Sequence, residues 1–325
     1  MGETMNYRKI LAKDLLTLHQ LWNHNKDILF KEMDENEIES KFFTCTSDYD
    51  IITLIAIEKN EIIGFASGTY VRNTEVAYLT CILVNMLNRR HHIGTKLLQL
   101  MENEFSKNEQ IKRIDVSFFN PVHLEWFIPV TLSCDHPNAP GVDINSSYYA
   151  LMHKNSYFDF AIQNAYYLCL KDYQYSHDIE EKREKLKILG INITKYDPKK
   201  HSGFDELFRD LKSEHWEKEI NHNIHDENLK YPVLIIEKDG LIYGFAGPLK
   251  VQKSGRGYFA GIGVHSSLRG QGAGSVLFAS LCMELKKINA LYMSIFTGIN
   301  NKARHIYETE GFRCVKTWAN MRKEI

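Results

Sequence analysis

Proline is scarce in this chain, cysteine is scattered, net charge is almost absent and no apolar run is long. Each shortage excludes something. Only 7 prolines occur in 325 residues, and four of them, Pro121, Pro129, Pro137 and Pro140, fall in one segment. Elsewhere little interrupts regular structure. The 6 cysteines (Cys45, Cys81, Cys134, Cys169, Cys282 and Cys314) form no C-x-x-C pair. That pattern predicts free thiols, with neither a disulfide frame nor a metal site. Lys and Arg total 40 and Asp and Glu 41, a net charge of −1. No global pull toward nucleic acid or an anionic membrane follows from that balance. No apolar stretch reaches the roughly 18 residues needed to span a bilayer. The opening "MGETMNYRKI" has no apolar core of a signal peptide, and Asn6 stands where a myristoylation signal wants Ser or Thr. The expected location is cytoplasmic.

What is present is the composition of a globular protein, 44% hydrophobic and 25% charged. A chain of 325 residues exceeds one ordinary core, so two domains are expected. An internal repeat supports this. "IIGFASG" from Ile62 resembles "IYGFAGP" from Ile242, so that Gly64, Phe65 and Ala66 recur as Gly244, Phe245 and Ala246. Val84 recurs as Val264, Arg89 as Arg269, Gly94 as Gly274 and Leu97 as Leu277, every pair 180 residues apart. A constant offset across separate blocks marks a duplicated domain.

Both copies read in the same order. A short strand ("YRKILA") precedes helical stretches ("LAKDLLTLHQLW", "DENEIESKFF"), and "DIITLIAIEKNEIIGFASGTYV" is a hairpin. A long strand ("EVAYLTCILVN"), an amphipathic helix ("GTKLLQLMENEF") and a further strand ("RIDVSFF") follow. In the second copy "FDELFRDLKSEHW" is the early helix, Asp239-Gly240 turns the hairpin, and "YFAGIGV", "GSVLFASLCMELKK", "LYMSIFT", "NKARHIYETEG" and "FRCVKTWANMRK" close it. The domains are read as 1–175, a linker helix at 176–190 ending at Gly190, and 191–325. The segment Asn120–Val142 is a long loop that the second copy lacks.

The chemistry concentrates in "VHSSLRGQGAG", Val264 to Gly274. A strand ends, the chain turns through glycines, and a helix begins. The first N–H groups of a helix lack internal partners and carry the positive end of its dipole. Glycine lets the backbone approach an anion closely, and Arg269 adds fixed charge. The loop should bind a phosphate or pyrophosphate. A Walker loop is excluded because no Lys-Ser/Thr follows, and the spacing is not that of the dinucleotide fingerprint.

Arg269, Gly272 and Gly274 after a strand ending in Val match the Arg/Gln-x-x-Gly-x-Gly/Ala signature of the GNAT acetyltransferase superfamily. Asn300, Ala303, Tyr307, Gly311 and Phe312 match its second signature, Asn-x-x-Ala-x-x-x-Tyr-x-x-x-Gly-Phe. The second copy thus resembles a GNAT domain over nearly its whole length, and the chain resembles a tandem GNAT N-acetyltransferase. The resemblance implies an α/β fold of two consecutive GNAT-like domains, each a mixed, twisted, mostly antiparallel sheet flanked by helices. It implies acetyl-CoA as cosubstrate in the second copy, in the cleft between "YFAGIGV" and "LYMSIFT". Backbone groups of Ile262, Gly263 and Val264 would pair with the pantetheine arm. Arg269, Gly270, Gln271, Gly272, Ala273, Gly274 and Ser275 would hold the pyrophosphate, and Asn300 would assist. Tyr307 falls at the family's general acid. The base is open among His265, His215, Glu214 and Glu217.

The first copy departs from the pattern. Its loop "LNRRHHIGTKLL" keeps Arg89 and Gly94, but His92 replaces the counterpart of Gly272. A Cβ there crowds the phosphate and restricts positive φ. Val84, Arg89, Arg90, Gly94 and Thr95 are its candidate second cofactor-like site. From Asn145 the second signature places Met152 where the second copy has Tyr307. His92 and Met152 together predict a first copy that does not catalyse. "PGVDINSSYYALMHKNSYF", from Pro140, resembles the corresponding stretch of bacterial two-domain GNAT proteins. Whether the first copy binds CoA, shapes the substrate site or only packs is open.

The expected activity is transfer of an acetyl group to an amine of a small molecule or peptide, with the second copy catalytic. The alternative is a tandem module that senses acyl-CoA without turnover. "SEHWEKEI" and the Pro-containing segment are candidate acceptor walls, with Trp126, Phe127 and Trp216 either lining them or packing in the core. The oligomeric state is open.

Overall fold

The computed structural model describes residues 5–129, 131, 133–224 and 231–325. The start of the N-terminal stretch read for targeting, and positions 130 and 132 of the Pro-containing segment, lie outside the described residues. The chain forms two compact units, one running to Ala165 and including Val315–Ile325, the other Tyr166–Cys314.

The first unit contains, in order, β1 (Asn6–Lys9), α1 (Leu15–Asn25), α2 (Glu35–Phe42), β2 (Tyr49–Glu58), β3 (Glu61–Val71), β4 (Val76–Val84), α3 (Ile93–Ser106) and β5 (Arg113–Val116). The short strands β6 (Trp126–Phe127), β7 (Asp135–His136) and β8 (Val142–Asp143) follow, then α4 (Ser147–Lys154) and β9 (Phe158–Cys169), inside which the unit boundary falls. Strands β1 to β4 are antiparallel neighbours in sequence order. The β2–β3 turn holds Lys59 and Asn60 at φ 52° and 65°. Two positive φ values suit the right-handed twist of a hairpin. Helix α3 buries Ile93, Leu97, Met101 and Phe105, one residue per turn, on one face of the sheet. The other face is covered by α1 and α2 through Leu18, Trp22, Ile38 and Phe42.

The second unit contains α5 (His177–Ile188), β10 (Asn192–Lys195), α6 (Phe204–Leu211), α7 (Glu214–Ile224), β11 (Leu234–Lys238), β12 (Leu241–Ala246), β13 (Ile262–Val264), α8 (Ala273–Lys287), β14 (Tyr292–Gly298) and α9 (Arg304–Thr309). Strands β10 to β13 form an antiparallel sheet in that order. The single early helix read from the sequence is two. Lys212 at φ 54° breaks the helical path between α6 and α7.

The last strand, β15 (Arg313–Glu324), corrects the domain reading. From Val315 onward it belongs to the first unit, where Met321 to Glu324 pair antiparallel with Val116 to Arg113 of β5. Trp318 packs edge-on against Trp126 at 5.0 Å, and Arg322 forms a two-pronged salt bridge to Asp115 at 2.8 and 2.9 Å. The repeat pattern placed this strand in the second copy, because pattern alone does not say which sheet edge a terminal strand completes. The helix read as a linker is α5, which buries Ile179 and Leu186 in the second unit. Among the described residues no helix is long and apolar enough to cross a membrane.

Candidate functional site

The repeated loop has one architecture in both units. In the first, β4 ends at Val84, and the Asn85 side chain accepts from Leu87 N at 3.0 Å to start a single turn. Arg89 Nε then donates back to the Val84 carbonyl at 3.0 Å, closing the loop on itself. In the second, the His265 ring accepts from Ser267 N at 3.2 Å, and Arg269 Nε donates to the Val264 carbonyl at 3.2 Å. Arg90 and His92 take φ 69° and 61°, matching Gly270 and Gly272 at 78° and 81°. Helices α3 and α8 start one residue later, at Ile93 and Ala273.

His92 thus takes the left-handed backbone that its Cβ was expected to restrict. The left-handed backbone is adopted although a Cβ there costs about 1–2 kcal/mol per residue. What holds it is the closure at Arg89 and an anchor that the sequence did not reveal. Asn25, at the end of α1, accepts from Met86 N through Oδ1 at 2.9 Å, and its own carbonyl accepts from Arg89 Nη2 at 3.0 Å. In the second unit Asp210 serves instead, accepting from Ser266 N at 2.8 Å and Ser266 Oγ at 2.7 Å. These two bonds to Ser266, with the positive charges of His265 and Arg269, hold the Asp210 carboxyl below the usual carboxylate range.

Both loops can receive an anion. Neither helix start is capped by a side chain, so its first N–H groups are free of that competition. The surroundings of Gly270 are open, since an added Cβ would meet nothing within 4 Å. The Lys182 side chain of α5 runs beside Gly272, its methylenes 3.2 to 3.6 Å from where a Cβ would stand, and its ammonium pairs with Asp178 at 2.5 Å. The electrostatics differ between the copies. Asp210 lies 3.6 Å from Arg269 and offsets its charge. In the first unit the anchor is the neutral Asn25, and Arg90, His91 and His92 stand exposed beside Arg89.

Beyond its loop the first unit opens into a cavity of about 860 Å³. The opening follows from strand geometry. β5 runs parallel to β4 only from Val76–Arg113 to Tyr78–Asp115, so Leu79 to Val84 have no β5 partner. In addition, Ser67 faces Cys81 while Gly68 faces Leu79, which leaves Thr80 as a bulge in β4. Ala77 and Leu79 pack with α3, whereas Cys81 and Leu83 pack with α1 and α2. The bulge therefore switches the faces of the strand. All five residues of the candidate second site, Val84, Arg89, Arg90, Gly94 and Thr95, line this cavity, as do His92 and Asn145. The volume lies within the range of small-molecule sites.

Four further lining residues were not singled out from sequence. Thr80 accepts from Asn120 Nδ2 at 3.0 Å, and Asn120 Oδ1 accepts from Thr69 Oγ1 at 3.1 Å and Val122 N at 2.9 Å. With its oxygen so engaged, the Thr80 hydroxyl has its proton left to donate. Tyr148 of α4 has a buried hydroxyl with no hydrogen-bond partner, and burial pushes that phenol well above its ordinary pKa. Burial likewise pushes the Cys81 thiol up.

In the second unit Ile262 and Val264 are half-buried on β13, whose ladder partner is β12. The chain ahead of β13 meets β14 at the Arg256–Tyr292 bridge, where Arg256 Nε also donates to Ser294 Oγ at 2.7 Å. Tyr307 is 5% exposed within an aromatic cluster, 4.8 Å from Phe278 and 6.4 Å from Phe259 by ring centres. Burial pushes its hydroxyl up to about 12.

The sequence matches the Acetyltransferase (GNAT) family over residues 16–123 and 200–312. The chain belongs to the GNAT family. No curated protein sequence matches it. Among solved structures, a fungal multi-domain GH3 β-N-acetylglucosaminidase with a region described as a GCN5-related glucosamine N-acetyltransferase aligns with a TM-score of 0.71 at 15% identity, over 99% of this chain and 38% of that one. A GCN5-related N-acetyltransferase from Sphaerobacter thermophilus aligns at 0.63 and 14% identity, over 98% and 95%. A tandem GNAT protein from the clavulanic acid biosynthesis pathway aligns at 0.58 and 11% identity, over 99% and 98%. At these identities the likeness is one of fold: two GNAT repeats of mostly antiparallel sheet flanked by helices.

Within the second GNAT repeat, Asn300 is exposed in the turn after β14, and the neighbouring Asn301 is the one bonded to Thr297 and to Ala303 N. Gln271 Nε2 donates to the Ser267 carbonyl at 3.0 Å and so braces the loop. Of the base candidates, His265 is built into the repeated loop, His215 and Glu214 are exposed on α7, and Glu217 is half-buried there. Trp216 lies against Gly261, where a Cβ would meet its indole at 2.3 Å, and packs on Phe245 at 5.8 Å. Trp126 is fully buried in the first repeat's core. Among the described residues no group of three His, Cys, Asp or Glu side chains forms a metal site.

Proposed function

We propose that this protein moves an acetyl group from acetyl-CoA to an amine of a small molecule or peptide, and that both units hold acetyl-CoA. The supporting observation is the loop built twice. Two sequences with different central residues reach the same backbone, the same arginine-to-valine closure and the same uncapped helix start. Arg89 to Thr95 and Arg269 to Ser275 would hold the pyrophosphate, and the free edge of β4 from Val84 to Thr80 would take the pantetheine arm as an added strand. Bound acetyl-CoA supplies an activated thioester carbon for attack by a neutral amine.

In the second unit Tyr307 keeps its proton at neutral pH and donates to the leaving sulfur, inside a water-poor aromatic setting that strengthens the interaction. The test is release of free thiol from acetyl-CoA across a panel of amines. An amino sugar belongs first in the panel, given the fold likeness to a glucosamine N-acetyltransferase region. Amine-dependent release is the expected result. Tight acetyl-CoA binding with no release from any amine would favour the sensing module instead.

A further inference from the structure

The second copy of the loop carries fewer cations of its own. Where the first unit has Arg90, His91 and His92, the second has Gly270, Gln271 and Gly272. Asp210 also offsets Arg269 from 3.6 Å. Yet a cation stands beside this loop from outside the repeat.

That cation is Lys182 of α5. Ser176 caps this helix, its side chain accepting from Ile179 N at 3.3 Å. Along α5 only Ile179, Lys182 and Leu186 escape full exposure. Their spacing of three and four residues puts them on one face. Ile179 and Leu186 are buried, and Leu186 shares a core cluster with Ala273 and Val276 of α8. Lys182 falls between the two, where periodicity alone calls for an apolar side chain. Its methylenes fill that place, 3.2 to 3.6 Å from where a Cβ on Gly272 would stand. The stem therefore lies over the residue that precedes α8, a helix whose first N–H groups no side chain caps. Glycine at 272 leaves room for it. His92, at the same point of the first loop, is exposed and has no such stem to clear.

The ammonium is held aside. Lys182 Nζ donates to Asp178 Oδ2 at 2.5 Å, one turn back on α5, and the Asp178 side chain is 55% exposed. An exposed pair at this spacing is weak and is screened by salt. A pyrophosphate offers more negative charge and more acceptor oxygens than one solvated carboxylate. Because the stem already lies over Gly272, rotation about its outer bonds carries Nζ toward the start of α8.

We infer that Lys182 is a phosphate-binding residue of the second unit, held by Asp178 until a pyrophosphate-bearing thioester arrives. This rests on the reading that the second loop holds acetyl-CoA. Helix α5 precedes the first strand of the second copy and lies outside both signature motifs. The second copy thus takes from the chain between the copies the charge that the first copy carries in its own loop. Asp178 competes with the anion for the ammonium, and so sets the affinity of the site.

The test uses the full chain carrying Arg89→Ala, so that calorimetric titration with acetyl-CoA reads the second unit. Lys182→Met keeps a stem over Gly272 and removes the charge. It should weaken binding roughly five- to tenfold at low salt, the loss shrinking as salt rises, with Tm unchanged. Lys182→Arg should bind within about twofold of the parent, and Asp178→Asn, which frees the ammonium, about two- to threefold tighter. If Lys182→Met binds like the parent at low salt, or loses the same factor at every salt concentration, the inference falls. Arg269→Ala, by weakening the same site, would then leave the acetyl-CoA reading standing. Unchanged affinity in Asp178→Asn also overturns the inference, whatever Lys182→Met does to folding. If the Arg89→Ala parent binds no acetyl-CoA although the wild type does, the reading of the second loop falls with it.

Discussion

His92 and Gly272 occupy the same point of two loops and share a left-handed backbone, φ 61° and 81°. Only the glycine is at ease there. His92 is held in place by closure at Arg89 and by the Asn25 anchor. His92→Gly should therefore relieve strain of about 1 kcal/mol, partly offset by a more flexible unfolded chain. Chemical denaturation should show a gain of stability with acetyl-CoA still bound. A loss of stability would mean that the imidazole makes a compensating contact.

Gly272→His carries the reciprocal expectation. The new Cβ meets only Lys182 methylenes, which can move, so the variant should fold. Acetyl-CoA affinity, read by calorimetry, should drop by less than tenfold. Abolished binding would show that the second unit lacks the closure strength of the first.

Asp210 places a negative charge beside the loop proposed to hold pyrophosphate. It supports Ser266 as Asn25 supports Met86, yet it lies 3.6 Å from Arg269. Asp210→Asn keeps a carbonyl acceptor for Ser266 N and removes the opposing charge. Acetyl-CoA should bind roughly threefold tighter at low salt, with the gain shrinking as salt rises. Weaker binding at all salt concentrations would make the carboxylate an indispensable brace.

Glu310 is 7% exposed, and burial pushes its carboxyl pKa up, against the lowering effect of the Tyr173 hydroxyl that donates to it. The folded state thus holds this proton to higher pH than the unfolded chain does. Its favourable contribution is full below the ordinary carboxylate pKa and fades as pH rises through the folded value. Glu310→Gln should raise Tm by about 2–4 °C at pH 7 and leave it unchanged near pH 4. An equal shift at both pH values would exclude titration as the cause.

Tyr307 is shifted upward by burial, to about 12. As the acid it should not ionise below pH 10. The pH profile of kcat should rise as the amine deprotonates and then stay level to pH 10. A fall between pH 8 and 10 would point to another group as the proton donor.

Much of this was legible in the sequence. The constant offset and the two signatures located the duplication and the repeated loops, because a left-handed turn into a helix favours particular residues at particular spacings. The residues it missed act through space. Asn25 lies more than sixty positions from the backbone it anchors, and Asp210 does the same work outside the repeat register. Thr80 matters because a register shift makes it a bulge, and a bulge is a property of two strands. The final strand was misassigned because an edge strand's partner depends on which sheet it reaches.

The central claim is that the loop works twice. Calorimetric titration of the full chain with acetyl-CoA tests it most directly. The account predicts close to two sites per chain, with Arg89→Ala and Arg269→Ala each weakening one and sparing the other. A single site per chain, unaffected by one of the two substitutions, would contradict it.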